Sequence, residues 1–151
     1  MIHRLHRRQA IPAPLDQVWD YFATPENLNQ ITPPDMNFRI IQGGNQMMYP
    51  GQLIEYRVQF MPLFTSRWLT EIAHIEEGTY FVDEQRMGPY RFWYHEHWFE
   101  AIENQTRMTD QVTYALPFGI FGDLVHTMWV GPRLKTIFDY RTLKIASIFG
   151  A

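Results

Sequence analysis

The stretch Tyr90–Pro117, YRFWYHEHWFEAIENQTRMTDQVTYALP, decides the fold. Trp93, His95, His97 and Phe99 fall on one side of an extended chain and Tyr94, Glu96, Trp98 and Glu100 on the other, because successive side chains of a strand point to opposite faces. The glutamates mark the second set as the solvent side. Glu103-Asn104 is a short turn signal, and beyond it Met108, Asp110, Val112, Tyr114 and Leu116 again share one face. Two long strands joined this tightly pair antiparallel.

The same pattern runs upstream. Candidate strands cover Asn37 to Gln42, Gln52 to Met61, Ser66 to Ile75 and Tyr80 to Met87, separated by Gly43-Gly44-Asn45, Glu77-Gly78 and Gly88-Pro89. In the second of these, Ile54, Tyr56, Val58 and Phe60 form the inward set. Six strands linked this way make a meander, which must twist and curl. A first strand is expected near Ile2 to Ala10. Pro12 and Pro14 then open a short helix with Leu15, Val18, Trp19 and Phe22 on one stripe. A second short helix has Thr24 as its cap, Pro25 at its first position, Leu28 and Ile31 on one side, and Pro33-Pro34 as its stop.

Beyond Pro117 the period changes. Val130, Leu134, Ile137, Phe138, Tyr140, Arg141, Ile145 and Ile148 mostly follow helical spacing, and Gly131-Pro132 predicts an interruption: a short helix near Ile120 to Trp129, then a restart near Pro132. The fold class is therefore α+β, with a curved antiparallel sheet of about seven strands wrapped around a long C-terminal helix and two short helices after the first strand. Residues 1–151 read as one domain, without repeat or linker.

Composition narrows the function. Apolar residues make up 46% and aromatic residues 16% of the 151, enough to line a cavity as well as fill a core. The net charge of −3, with 13 Lys and Arg in all, provides no field for a polyanion, so nucleic acid is not an expected partner. The one basic concentration, His3, Arg4, His6, Arg7 and Arg8, reads as the polar face of the first strand, with a weak anionic-lipid contact as the alternative. No cysteine is present, which excludes disulfide and thiolate chemistry, and no apolar run reaches the roughly 20 residues of a membrane span. A cytoplasmic location and no cofactor are the simplest expectations.

Several segments resemble the START-related (SRPBCC) superfamily, which includes polyketide cyclase and dehydratase-like proteins and coenzyme Q-binding START-like proteins. These are Pro14–Trp19 (PLDQVW), Pro25–Leu28 (PENL), Phe81–Gln85 (FVDEQ), Gly88-Pro89-Tyr90, Trp93–Phe99 and Asp110–Pro117. The resemblance covers nearly the whole chain and is nearest to a bacterial branch of unassigned role. It implies a helix-grip fold with an apolar cavity between sheet and helix. It implies no particular substrate, because one scaffold carries many functions.

Two inward histidines need partners, since an unpaired buried polar group costs about 1–3 kcal/mol. Asp83 and Gln85 share a face with Phe81, so an inward cluster of Asp83, Gln85, His95, His97 and Asp110 is expected. It would hold the polar head of an amphiphile. The body would lie against Ile54, Tyr56, Val58 and Trp68, against Phe81, Trp93, Phe99, Val112 and Tyr114, and against Leu134 and Phe138 of the helix. The alternative is a satisfied structural network. Trp19, Phe22, Met36, Met61, Trp129 and Phe138 are expected chiefly as packing. Met47, Met48, Leu63 and Phe64 are expected at a cavity entrance or an oligomer contact.

Three functions compete. The first is binding or carriage of a hydrophobic or amphiphilic small molecule (lipid, isoprenoid or polyketide-like). The second is a cyclase or dehydratase with His95, His97 or Asp110 as acid–base residues. The third is an interaction module with a vestigial cavity. His95-x-His97 also has the look of a metal pair, but a closed zinc site needs about four ligands, and no metal is expected.

Overall fold

The computed structural model describes residues 1–61 and 63–150; expectations resting on Pro62 and on the Met61 side chain lie outside the described residues. Strand β1 (His3–Ile11) is followed by helix α1 (Leu15–Phe22), two short 3₁₀ turns (Pro25–Ile31 and Pro34–Met36), and strands β2 (Arg39–Gln42), β3 (Leu53–Met61), β4 (Phe64–Glu76), β5 (Tyr80–Met87), β6 (Phe92–Ile102) and β7 (Gln105–Ala115). The seven strands form one antiparallel sheet in the order β1-β7-β6-β5-β4-β3-β2. The meander predicted from the turn spacing is present, and β1 closes onto its last strand.

The alternation that identified β6 and β7 sets their burial. Trp93, His95, His97 and Phe99 are buried, as are Met108, Asp110, Val112 and Tyr114, while Trp98 and Glu100 face solvent. Two apolar clusters fill the concave side. One, around Ile54, Ile72, Val112, Leu134 and Phe138, lies between the sheet and the C-terminal helix. The other, around Trp19, Phe22, Phe81 and Phe99, is covered by α1.

The second short helix is a 3₁₀ segment, and Thr24 does not cap it: its hydroxyl donates to the carbonyl of Asp20 at 2.7 Å. β2 begins at Arg39 because Asn37 takes a left-handed conformation (φ 46°) that ends the preceding turn.

The expected break at Gly131-Pro132 does not occur. Helix α2 (Gly119–Val125) passes through a single π turn (His126–Val130) into helix α3 (Gly131–Phe149), with helical backbone angles across both junctions. The Gly131 amide donates to the carbonyl of His126, five residues back. This wider turn displaces the carbonyl that a proline ring would strike in a regular α-helix, so Pro132 is absorbed without ending the helix.

The entry to this helix is tight. A Cβ added at Gly122 would sit 2.1 Å from the Pro117 carbonyl oxygen, a backbone atom with no freedom to rotate away. Gly122→Ala is expected to destabilise the fold by about 1–3 kcal/mol, measured from the urea midpoint. An unchanged midpoint would show that the β7–α2 connection has slack.

Candidate functional site

Three neighbouring strands and the C-terminal helix each bring one or two ionisable groups to the same place under the sheet. In the ladder Asp83 (β5) stands opposite His95 (β6), and His97 (β6) opposite Asp110 (β7). The imidazoles stack with centroids 3.7 Å apart. His95 Nε2 lies 2.8 Å from Asp110 Oδ1, and His97 Nε2 lies 2.6 Å from Asp83 Oδ2. Each second ring nitrogen faces the other carboxylate: His95 Nδ1 is 3.6 Å from Asp83, and His97 Nδ1 is 3.3 Å from Asp110 without the geometry of a hydrogen bond. Both histidines therefore sit between both aspartates.

Arg141 completes the group from α3. Its guanidinium is 3.7 Å from Asp110 Oδ1 and lies over the rings of Phe22 and Phe138, at 5.8 and 5.7 Å. Inside a protein such charges must balance. Burial disfavours ionisation of Asp110, but Arg141 and the histidines outweigh it and hold this carboxyl well below its ordinary range. Asp83 is lowered as well, with burial overcome by His95 and His97. Burial also opposes a charged His97, yet its hydrogen bond to Asp83 and its proximity to both aspartates raise its pKa. His95 is lowered, by burial and then by the charge on His97. These directions favour positive charge on His97 over His95, beside Arg141 and the two carboxylates.

Beside this box lies a cavity of about 150 Å³. Of the residues expected to line it, Tyr56, Val58, Trp68, Phe81, Asp83, Trp93, His95, His97, Leu134 and Phe138 do so. Ile54, Val112 and Tyr114 are packed in the adjoining core, Phe99 belongs to the cluster under α1, and Asp110 is buried behind the histidines. Gln85 is not in the box. Its amide donates to the Tyr90 carbonyl at 2.6 Å and its oxygen accepts from the Tyr90 amide at 3.0 Å, clipping the β5–β6 turn.

The cavity also takes walls that strand alternation did not indicate: Leu28 and Ile31 of the first 3₁₀ turn, Met36 and Phe38 after it, Met48, and Tyr90. Arg141 was missed as a site residue although a signal was present, because it occupies an inward position of the helical stripe between Phe138 and Ile145. Three buried polar atoms of cavity-lining residues have no hydrogen-bond partner among the described residues: Tyr90 Oη, His97 Nδ1 and Arg141 Nε. Donor atoms of Asp83, His95 and His97 lie within 4.8 Å of one another, the spacing of a potential three-ligand metal site, although the histidine nitrogens are already engaged with carboxylates.

Residues 11–135 match the family described as polyketide cyclase / dehydrase and lipid transport. No curated protein matches the sequence. Among solved structures, the chain is similar to the Zhui aromatase/cyclase from Streptomyces sp. R1128 (TM-score 0.77, 13% identity, 99% of this chain and 94% of that one). It is also similar to a START superfamily protein from Mycobacterium smegmatis (TM-score 0.71, 11% identity, 97% and 99%) and to the protein TTHA0849 from Thermus thermophilus (0.66, 16%, 97% and 99%). At such identities the likeness is one of fold.

The charge assignment has a pH signature. A histidine whose pKa is raised on folding contributes stability that is complete below its ordinary value of 6.5 and is lost as pH rises through the raised value. Wild-type protein is therefore expected to lose thermal stability as pH rises above 6.5, and His97→Gln to lose that decline. A decline of the same size in the variant would show that His97 is not the charged member.

Proposed function

The chain belongs to the polyketide cyclase / dehydrase and lipid transport family, and on that premise we propose that it binds a small amphiphile in the cavity between sheet and α3. The ligand has a ring-sized apolar body and at least one oxygen acceptor. The observation that carries this reading is the pair of unpartnered donors on residues that line the cavity. Tyr90 Oη–H and Arg141 Nε–H offer hydrogen, while His97 Nδ1 already faces Asp110 at 3.3 Å. A buried donor left without an acceptor is costly, and a carbonyl, carboxylate or phenolic oxygen would satisfy it.

The rest of the wall is apolar and aromatic, with Trp68 and Trp93 meeting edge to face at 5.1 Å, and suits the flat or aliphatic part of the molecule. The volume favours a compact ligand over a long acyl chain, since an apolar cavity of this order holds about one benzene-sized ring. Acid–base catalysis by the same box has weaker support. His97 has the raised pKa of a general acid, but its Nε2 is already committed to Asp83, and His95 Nε2 to Asp110.

The test uses the tryptophans in the wall as reporters. A benzoquinone is expected to quench their fluorescence and to bind at least about ten-fold more tightly than benzene, which has the same ring without oxygens and competes for the site. Tyr90→Phe removes a hydroxyl that has no partner among the described residues. It is expected to raise the free protein's stability by about 1 kcal/mol while weakening benzoquinone binding about ten-fold. Equal affinity for the two compounds, or no binding of either, would sink the reading.

A further inference from the structure

The segment between β7 and α3 is an amphipathic helix turned inside out. Ile120, Leu124 and Met128 stand four residues apart, as do Phe121, Val125 and Trp129, and these two rows make one continuous stripe. A stripe of this kind ordinarily faces the core. Here all six side chains are exposed, Ile120 by 78% and Met128 by 74%. Trp129, expected from the sequence as packing, is among them. The inward side is held instead by Gly122 and by His126, which stacks on His3 at 3.5 Å and shares a hydrogen bond of 2.7 Å with Tyr114 Oη.

The stripe does not stand alone. β3, β5 and β7 end, and β4 and β6 begin, at the same end of the sheet, so the β3–β4 and β5–β6 connections lie at the pole where α2 starts. Leu63, Phe64, Met87 and Phe92 are exposed there, and Phe118 leads into the helix. Leu63 and Phe118 both adopt left-handed backbone angles (φ 70° and 71°) while exposing 94% and 81% of their surface. At such positions glycine is the unstrained choice, so large apolar side chains are kept there against both conformational preference and solvation.

Charge is distributed to match. Arg4 and Arg91 are exposed beside this pole, whereas Arg133, just past the π turn, is already paired with Asp35 at 3.0 Å and lies 3.4 Å from the Phe60 carbonyl oxygen. The one acid on the 118–130 segment, Asp123, lies 3.7 Å from His3. The acidic residues Asp16, Glu76, Glu77 and Glu103 are exposed at the opposite end, on α1 and the β4–β5 and β6–β7 turns. A chain of net charge −3 therefore presents an apolar pole with a basic rim.

We infer that this pole docks onto an anionic lipid surface, with the Ile120–Trp129 stripe and the Leu63-Phe64 tip entering the headgroup boundary and Arg4 and Arg91 meeting lipid phosphates. Phe, Leu, Ile, Met and Trp flanked by arginine is the composition of an interfacial helix. A second copy of the chain fits less well, because a two-fold contact through this face sets the basic rim against itself. The inference goes beyond the cavity reading and is independent of what the cavity holds.

Co-sedimentation with vesicles tests it. Full-length protein is expected to bind phosphatidylcholine vesicles containing about one third phosphatidylglycerol at least about ten-fold more tightly than phosphatidylcholine alone. The double variant F121S/M128S is expected to lose binding to both. R4E/R91E should lose the preference for the anionic vesicles, and Leu143→Ser, exposed on α3 away from the pole, should change nothing. All substituted side chains are exposed, and circular dichroism confirms that the variants fold. Absence of binding, equal binding to both compositions, or unchanged binding by F121S/M128S overturns the inference. A concentration-dependent dimer in light scattering that F121S/M128S abolishes also overturns it, in favour of self-association.

Discussion

Two carboxylates buried under a sheet cannot stay charged without cations of equal number, and the rest of the interior is arranged around that requirement. Asp83 and Asp110 come from strands separated by β6, and the strand between them supplies both imidazoles. The remaining positive charge comes from across the interior, on α3. Removing one partner of such a group typically costs about 3–5 kcal/mol, far more than a surface ion pair contributes. Arg141 therefore fixes the rotation of α3 as well as a charge. With its guanidinium at Asp110 and over Phe22 and Phe138, the stripe of Leu134, Phe138 and Ile145 faces the sheet.

The cavity is a consequence of that placement. A helix anchored by a polar group near the middle of a curled sheet does not also fill the space toward β3 and β4, and the 3₁₀ turns and Met48 close the side without filling it. The unpartnered donors of its lining residues belong partly to the charge box and partly to Tyr90, whose backbone Gln85 pins. Buried donors with no acceptor among the described residues are a form of preorganisation, since their geometry is set before a ligand arrives. The same logic separates the two ends of the molecule. The interior satisfies its charges internally, while the pole at α2 leaves apolar surface unsatisfied in water.

Fold likeness to proteins with 11–16% identity fits what the sheet asks of its residues. Alternation, turn residues at the strand ends and one amphipathic helix can be met by many sequences. The polar interior residues are a much smaller set, and it is there that chemistry differs between chains of one architecture.

Much was legible from the sequence alone because it is local. Period-two alternation set the inward faces of β3, β6 and β7, short Gly and Asn turns set the antiparallel order, and the gathering of Asp83, His95, His97 and Asp110 follows from those faces in adjacent strands. What tertiary structure decided is nonlocal. Gln85 shares the inward face of β5 but lies within reach of the Tyr90 backbone, and a bond so close at hand excludes it from the box. Arg141 carries a charge at a core position, and only the packing of α3 on the sheet names its partner. Pro132 signals a break in any linear reading, yet one wider turn absorbs it. The 120–129 stripe has the period of a buried helix face, and period reports only that a helix has an apolar side. Which way that side turns depends on the polar contacts of His126 with Tyr114 and His3, made by residues far apart in the chain and brought together only by folding.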